Sequence, residues 1–185
     1  MSDGPSTWHV SDPTQKVAMK AAKEAWVTAV IPILESTAAR YGGYITYGAL
    51  AERLFEETGY RTTQQLNYWI GDVLGTVQDD TKADGRPPLS SLVVYATGGV
   101  GPGYKNHKHD SKELTSETER QQAAAVDRLA CYRRYCRDLP LDAAPQMTAL
   151  WDAKHTRRAQ PTPPPAQVCP ECRMTLPATG LCDCT

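Results

Sequence analysis

At 185 residues, with 41% apolar and only 8% aromatic side chains, the chain can bury one ordinary core plus a small appendage. A net charge of −1 and a pI near 6.4 exclude a protein coated in basic charge, although one basic face remains compatible with them. No apolar run of membrane-spanning length and no basic stretch leading into one is present, so the sequence predicts no membrane partner, a cytoplasmic address and reduced thiols.

Residues 1–12 are polar and predicted disordered. Asp12 before Pro13 reads as a helix start, with Asp12 as cap and Pro13 in the first turn. From there Ala18, Ala22, Trp26, Val30, Ile33, Leu34 and Ala38 recur at helical spacing and predict one apolar stripe. Pro32 removes a backbone donor and presses on the Thr28 carbonyl, so a kink or two shorter helices are expected.

Residues 44–47 read as a short strand, and Thr46 as the cap of a helix reaching Glu57 and stopped by Gly59. Leu50, Ala51, Leu54 and Phe55 face inward. Thr62 or Thr63 is the predicted cap of a second helix, with Leu66, Ile70, Val73, Leu74 and Val77 inward. Its start turns Gln64, Gln65, Asn67 and Tyr68 outward, and its far end is acidic, with Asp72, Asp79 and Asp80. Residues 91–96 read as a β-branched strand and residues 98–103 as a glycine-rich hairpin tip. The tip lacks the Lys-Ser/Thr pair of a phosphate-cradling loop and opens no helix, so it reads as a wing.

His107 and His109 read as part of a solvated, weakly basic loop. Ser116 with Glu119 forms a capping box for a helix to about Arg137, with Val126, Leu129, Ala130 and Cys136 on its inner side. Cys131 and Cys136 are expected as buried or half-buried thiols. Over residues 105–137 eight basic side chains face five acidic ones. That surplus lies beside the wing and adds Tyr104, Lys105 and Lys108 to the candidate nucleic-acid surface. Residues 138–168 read as a Pro-rich linker, with a helical turn or short helix around residues 147–151.

Cys169-x2-Cys172 and Cys182-x-Cys184 are two close thiol pairs nine residues apart, a pattern that predicts tetrahedral coordination of one structural Zn²⁺. Disulfides are the competing reading, and the lack of a leader argues against them. Residues 169–185 are too few to bury a core, so the tail relies on the metal to fold.

The order of the central motifs carries a resemblance. Residues 45–51 (ITYGALA), 70–75 (IGDVLG) and 88–94 (PLSSLVV), followed by the glycine-rich tip, resemble the alkyltransferase-like proteins. They are also similar to the DNA-binding domain of methylated-DNA–protein cysteine methyltransferases, over about sixty residues in all. The resemblance implies a winged helix-turn-helix whose second helix meets DNA, which puts Thr62, Thr63, Gln64, Gln65, Asn67 and Tyr68 at the duplex. The family's acceptor cysteine falls at Leu89 or Ser90, neither a thiol, and the His-Arg that follows it is missing. Alkyl transfer needs a thiolate, so that activity is not expected. The family's base-extruding arginine corresponds to Tyr68, whose ring can serve as a wedge. The tail is similar to the short cysteine-rich endings of small actinobacterial phage proteins, which implies a phage-encoded protein at work in the host cytoplasm.

Together these readings give a mainly α fold with a small β wing. A winged helix-turn-helix over residues 13–137, flanked by N- and C-terminal helices, precedes a tethered zinc-ribbon-like tail. The expected function is non-enzymatic, regulatory binding of double-stranded DNA. The alternative is a protein–protein adaptor that grips host transcription or defence machinery through the same fold. No paired carboxylates, Ser/His/Asp set or open metal site speaks for an enzyme, and no small-molecule substrate is evident.

Overall fold

The computed structural model describes residues 6–104, 116–159, 168–169 and 172–175. The chain divides into two compact units, Met1–Lys154 and His155–Thr185. The first is organised around α1 (Met19–Ala38), in which Ala22, Trp26, Val30, Ile33, Leu34 and Ala38 fall three or four apart and are all buried. α2 (Tyr47–Thr58) starts where the Thr46 hydroxyl accepts the Ala49 N–H at 3.3 Å, and ends at Gly59, whose φ of 72° a β-carbon would oppose. α3 (Ile70–Ala83) buries Ile70, Val73, Leu74 and Val77. α4 (Glu117–Tyr135) opens with the capping box read from the sequence: Ser116 and Glu119 each bond the other's backbone N–H.

α1 packs against α2, α3, α4 and a 3₁₀ turn at Leu89–Leu92. The Trp26 and Trp69 rings meet with centroids 4.3 Å apart, and Phe55 stacks on Trp69 at 5.7 Å. Such pairs contribute about 0.5–1.5 kcal/mol beyond the area they bury. α4 is fastened to the turn after α1 by the Tyr132 hydroxyl, which donates to the Gly43 carbonyl at 2.7 Å.

Two small sheets join remote segments. β1 (Thr7–His9) runs antiparallel to β3 (Tyr60–Thr62), with Thr7 opposite Thr62 and His9 opposite Tyr60. β2 (Ile45–Thr46) runs parallel to β4 (Val93–Val94). The molecule is therefore mainly α with a small β content. No helix among the described residues is long and apolar enough to cross a membrane.

Several expectations are corrected. The N-terminus, expected disordered over residues 1–12, carries β1, because the edge of β3 offers its backbone partners; Thr7 is 1% exposed. The first helix begins at Met19 rather than Pro13, since Asp12 turns its carboxylate onto Thr14 and closes a local turn instead of capping. Pro32 lies within a single helix rather than dividing it into two shorter ones, with buried residues on both sides of it. The second helix begins at Ile70, not at Thr62 or Thr63. Residues 60–62 are drawn into β3, and only a 3₁₀ turn, Leu66–Tyr68, precedes α3.

The expected strand over residues 91–96 shrinks to β4, and β4 pairs in parallel with β2 rather than folding back into a hairpin. Gly98, Gly99 and Gly101, expected at an exposed wing tip, are buried. On α4 Leu129 is buried as expected and Ala130 and Cys136 are half-buried, but Val126 is 42% exposed, whereas Gln121, Asp127 and Arg128 are each 2% exposed because the buried glycine loop and the Leu89–Leu92 turn offer them partners. Finally, residues 149–159 of the expected linker form α5 (Ala149–Ala159), within which the boundary between the units falls.

Candidate functional site

Along the outer face of α3 runs a cleft of about 580 Å³, a size typical of small-ligand sites. One wall is the 3₁₀ turn and α3 themselves: Leu66, Asn67, Ile70, Gly71, Leu74, Gly75 and Gln78. Gly71 and Gly75 stand one turn apart, and a β-carbon at either would meet nothing within 4 Å, so the missing side chains are what opens the slot. The facing wall is the glycine loop from Gly101 to Tyr104, with the Tyr47 and Tyr95 rings beside it, centroids 5.0 Å apart. At the floor the Ser90 hydroxyl donates to Gln78 Oε1 at 3.1 Å. Among the described residues the lining carries no charged side chain, Cys or His.

The loop forming the second wall is held from behind. The Gln121 amide spans Val100, its Oε1 accepting the Val100 N–H at 2.8 Å and its Nε2 donating to the Val100 carbonyl at 3.2 Å. The Thr148 hydroxyl donates to the Gly98 carbonyl at 2.7 Å while accepting the Trp151 N–H at 3.2 Å. Gly98 sits at φ 86°, and a β-carbon there would lie 2.3 Å from the Trp151 nitrogen. Both the left-handed backbone and the contact require glycine.

At the end of the loop the Tyr104 hydroxyl donates to Asp127 at 2.5 Å. Burial, then the charge of Asp127, holds the Tyr104 phenol well above its ordinary value, so it stays a donor. Burial and then neighbouring Tyr95 push the Tyr47 phenol up as well, against a backbone hydrogen bond from Gly101. The slot thus offers apolar walls, ring faces and neutral hydrogen-bonding groups: Asn67, Gln78, Ser90 and phenols. That combination suits a flat, uncharged heterocycle.

Of the two positions where the resemblance places the acceptor, Leu89 is fully buried and Ser90 is 7% exposed and faces Gln78, with no base in the lining among the described residues. The nearby thiol of Cys131 is fully buried behind it, 3.7 Å from the Ser91 hydroxyl and donating to the Pro88 carbonyl at 3.5 Å. Burial pushes that thiol up to about 12, so it is held protonated. Cys136, the other expected thiol of α4, is half-buried.

The sequence-selected residues separate into groups. Asn67 and Tyr104 line the cleft, and Tyr68, on the same 3₁₀ turn as Asn67, is 69% exposed. Thr63, Gln64 and Gln65 are exposed between β3 and that turn. Thr62 instead closes the β1–β3 sheet, its hydroxyl donating to the Ser6 carbonyl at 2.8 Å. Lys105, His107, Lys108 and His109 lie outside the described residues. The sequence reading missed Tyr47, Tyr95, Gln78 and the glycine pair. The signal available for them was the spacing of Gly71, Gly75 and Gln78, which shares one helix face.

In the second unit Cys169 is buried and Cys172 partly so. Val168 bridges Thr175, the Cys169 N–H donates to the Met174 carbonyl, and the Arg173 N–H donates to the Cys169 carbonyl, both at 2.9 Å. Arg173 adopts φ 58°, in the left-handed region. Cys182 and Cys184 lie outside the described residues. No protein-family model, curated protein or solved structure matches this chain.

Proposed function

We propose that the chain is a non-enzymatic, double-stranded-DNA-binding protein of the winged helix-turn-helix type. In this reading it approaches the duplex with the Leu66–Tyr68 turn and the start of α3, and receives an unstacked base in the cleft. The observation that carries it is the juxtaposition of exposed Tyr68 with Asn67, a lining residue of an uncharged slot with aromatic rings on its facing wall. An exposed ring can wedge a base step apart at a cost of a few kcal/mol, and a slot with ring faces and amide groups repays it. Parallel pairing of β2 with β4 supports the resemblance, since it brings together two of the three motif segments.

The test is fluorescence anisotropy with matched and singly mismatched duplexes at low salt. The mismatched duplex is expected to bind more tightly, and Tyr68→Ala to erase that preference. No binding to any duplex would sink the reading. It would favour the protein adaptor, for which the exposed Asp79 and Asp80 on α3 are the supporting observation.

We further propose that the tail holds one structural Zn²⁺ through Cys169 and Cys172, with Cys182 and Cys184 as the remaining ligands. The bridge of Val168 to Thr175, which brackets the first pair, supports it, since two thiols three positions apart suit a tetrahedral ion. Elemental analysis of untagged protein is expected to find about one zinc per chain; metal-free protein with a protease-resistant tail would refute the site.

A further inference from the structure

Beyond Gln78 the same face of α3 leads into a second hollow, of about 530 Å³, floored by Pro87 and Pro88. Its rim carries Lys82, Arg86, Arg133 and Arg134 against one acid, Asp127. Asp127 is 2% exposed and accepts the Tyr104 hydroxyl, so its charge is directed inward. Arg86 is fixed by Glu35 at 3.6 Å and Asp84 at 2.7 Å, and its Nε is buried with no partner among the described residues. Arg133 and Arg134 stand exposed on the last turn of α4. With Arg86 occupied by two carboxylates, the exposed Arg133 and Arg134 give the hollow its cationic rim.

The hollow lies further along α3 than the cleft. Gly71, Gly75, Gln78 and Lys82 are spaced by four, three and four residues, which sets them in one row along α3. Ser90 lines the cleft, and Pro88, two residues earlier, lines the hollow. Along α3, whose length is on the order of 20 Å, a neutral slot is thus followed by a cationic basin.

We propose that this basin takes phosphates of a nucleic-acid backbone, a contact outside the base-receiving cleft; the proposal rests on the DNA-binding reading above. Phosphate contacts set affinity and register without reading sequence. The test measures anisotropy of the full chain with a short duplex over a range of salt. Arg133→Ala/Arg134→Ala is expected to weaken matched and mismatched duplexes by the same factor, and to lower the slope of log affinity against log salt by about two. Circular dichroism checks that α4 is intact.

Wild-type slope and affinity in the double variant would overturn the basin while leaving the cleft standing. If the wild type shows no mismatch preference but the arginine pair still sets the salt slope, the cleft fails and the basin holds. Failure to bind any duplex overturns both. Tighter binding of a poly-aspartate peptide than of the duplex at equal charge concentration, lost in the arginine variant, would assign the basin to an acidic protein and overturns the nucleic-acid proposal.

Discussion

α3 has two faces built at the same spacing. Inward, Val73 and Val77 are 1% and 0% exposed and join Trp26 and Trp69 in one packed core. Outward, Gly71 and Gly75 leave a slot that no described residue fills. Filling space lowers free energy through burial and dispersion contacts, and a helix interior disfavours glycine by roughly 0.5–1 kcal/mol relative to alanine. The inner face is thus what stability asks for, and the outer face is a cost that binding can explain. The difference separates residues that make the fold from residues that use it.

The largest effect expected is on the packed side. Trp69→Ala should destabilise by about 3–5 kcal/mol, read as a lower urea midpoint, because its ring is 1% exposed between Trp26 and Phe55. An effect below about 1 kcal/mol would break the contrast with the cleft. Next comes the support of the cleft's second wall. Gln121→Leu keeps the bulk but strands the buried N–H and carbonyl of Val100, at a cost of about 2–3 kcal/mol. Tryptophan emission should shift too, since Gly99 lies against the Trp151 ring.

Alkali probes the junction of the two regions. The Cys131 thiol has its folded pKa raised by burial to about 12, so the unfolded chain loses this proton first. Its contribution is complete below the unfolded pKa and is lost as pH rises towards 12, at about 1.4 kcal/mol per pH unit. Tyr132, also raised to about 12, adds to the slope once the pH passes its ordinary value. Cys131→Ala should flatten the decline by about one proton per molecule, read from urea midpoints across that window; an unchanged slope would show that the thiol does not titrate this way.

The smallest expected effect has the opposite sign. Gly75→Ala should raise stability by about 0.5–1 kcal/mol, as its β-carbon meets open space, while narrowing the slot and weakening the mismatch preference. Stabilisation with undiminished preference would separate the slot from binding.

Much of the packed side was legible in the chain. The stripe of α1, the Thr46 cap, the Gly59 stop and the Ser116 capping box are signals between residues at most a few turns apart, so periodicity and local hydrogen bonding suffice to read them. The cleft was less legible. Asn67 and Tyr68 were selected, but as part of a helix that does not begin until Ile70. Residues 60–62 look like a helix approach until β1 arrives, because strand pairing depends on a partner more than fifty positions away.

The same holds for the glycine loop. Glycines followed by proline read as an exposed tip, and they do turn the chain, with Gly98 left-handed as such a turn needs. Their burial comes from Gln121, Thr148 and Trp151, which approach from α4 and from the start of α5. Local sequence therefore specified the existence and apolar faces of α1, α2 and α3, since those energies arise within a turn or two. Which gaps stay open, and which polar groups close around them, followed from contacts between distant segments. No short window of the sequence contains those partners.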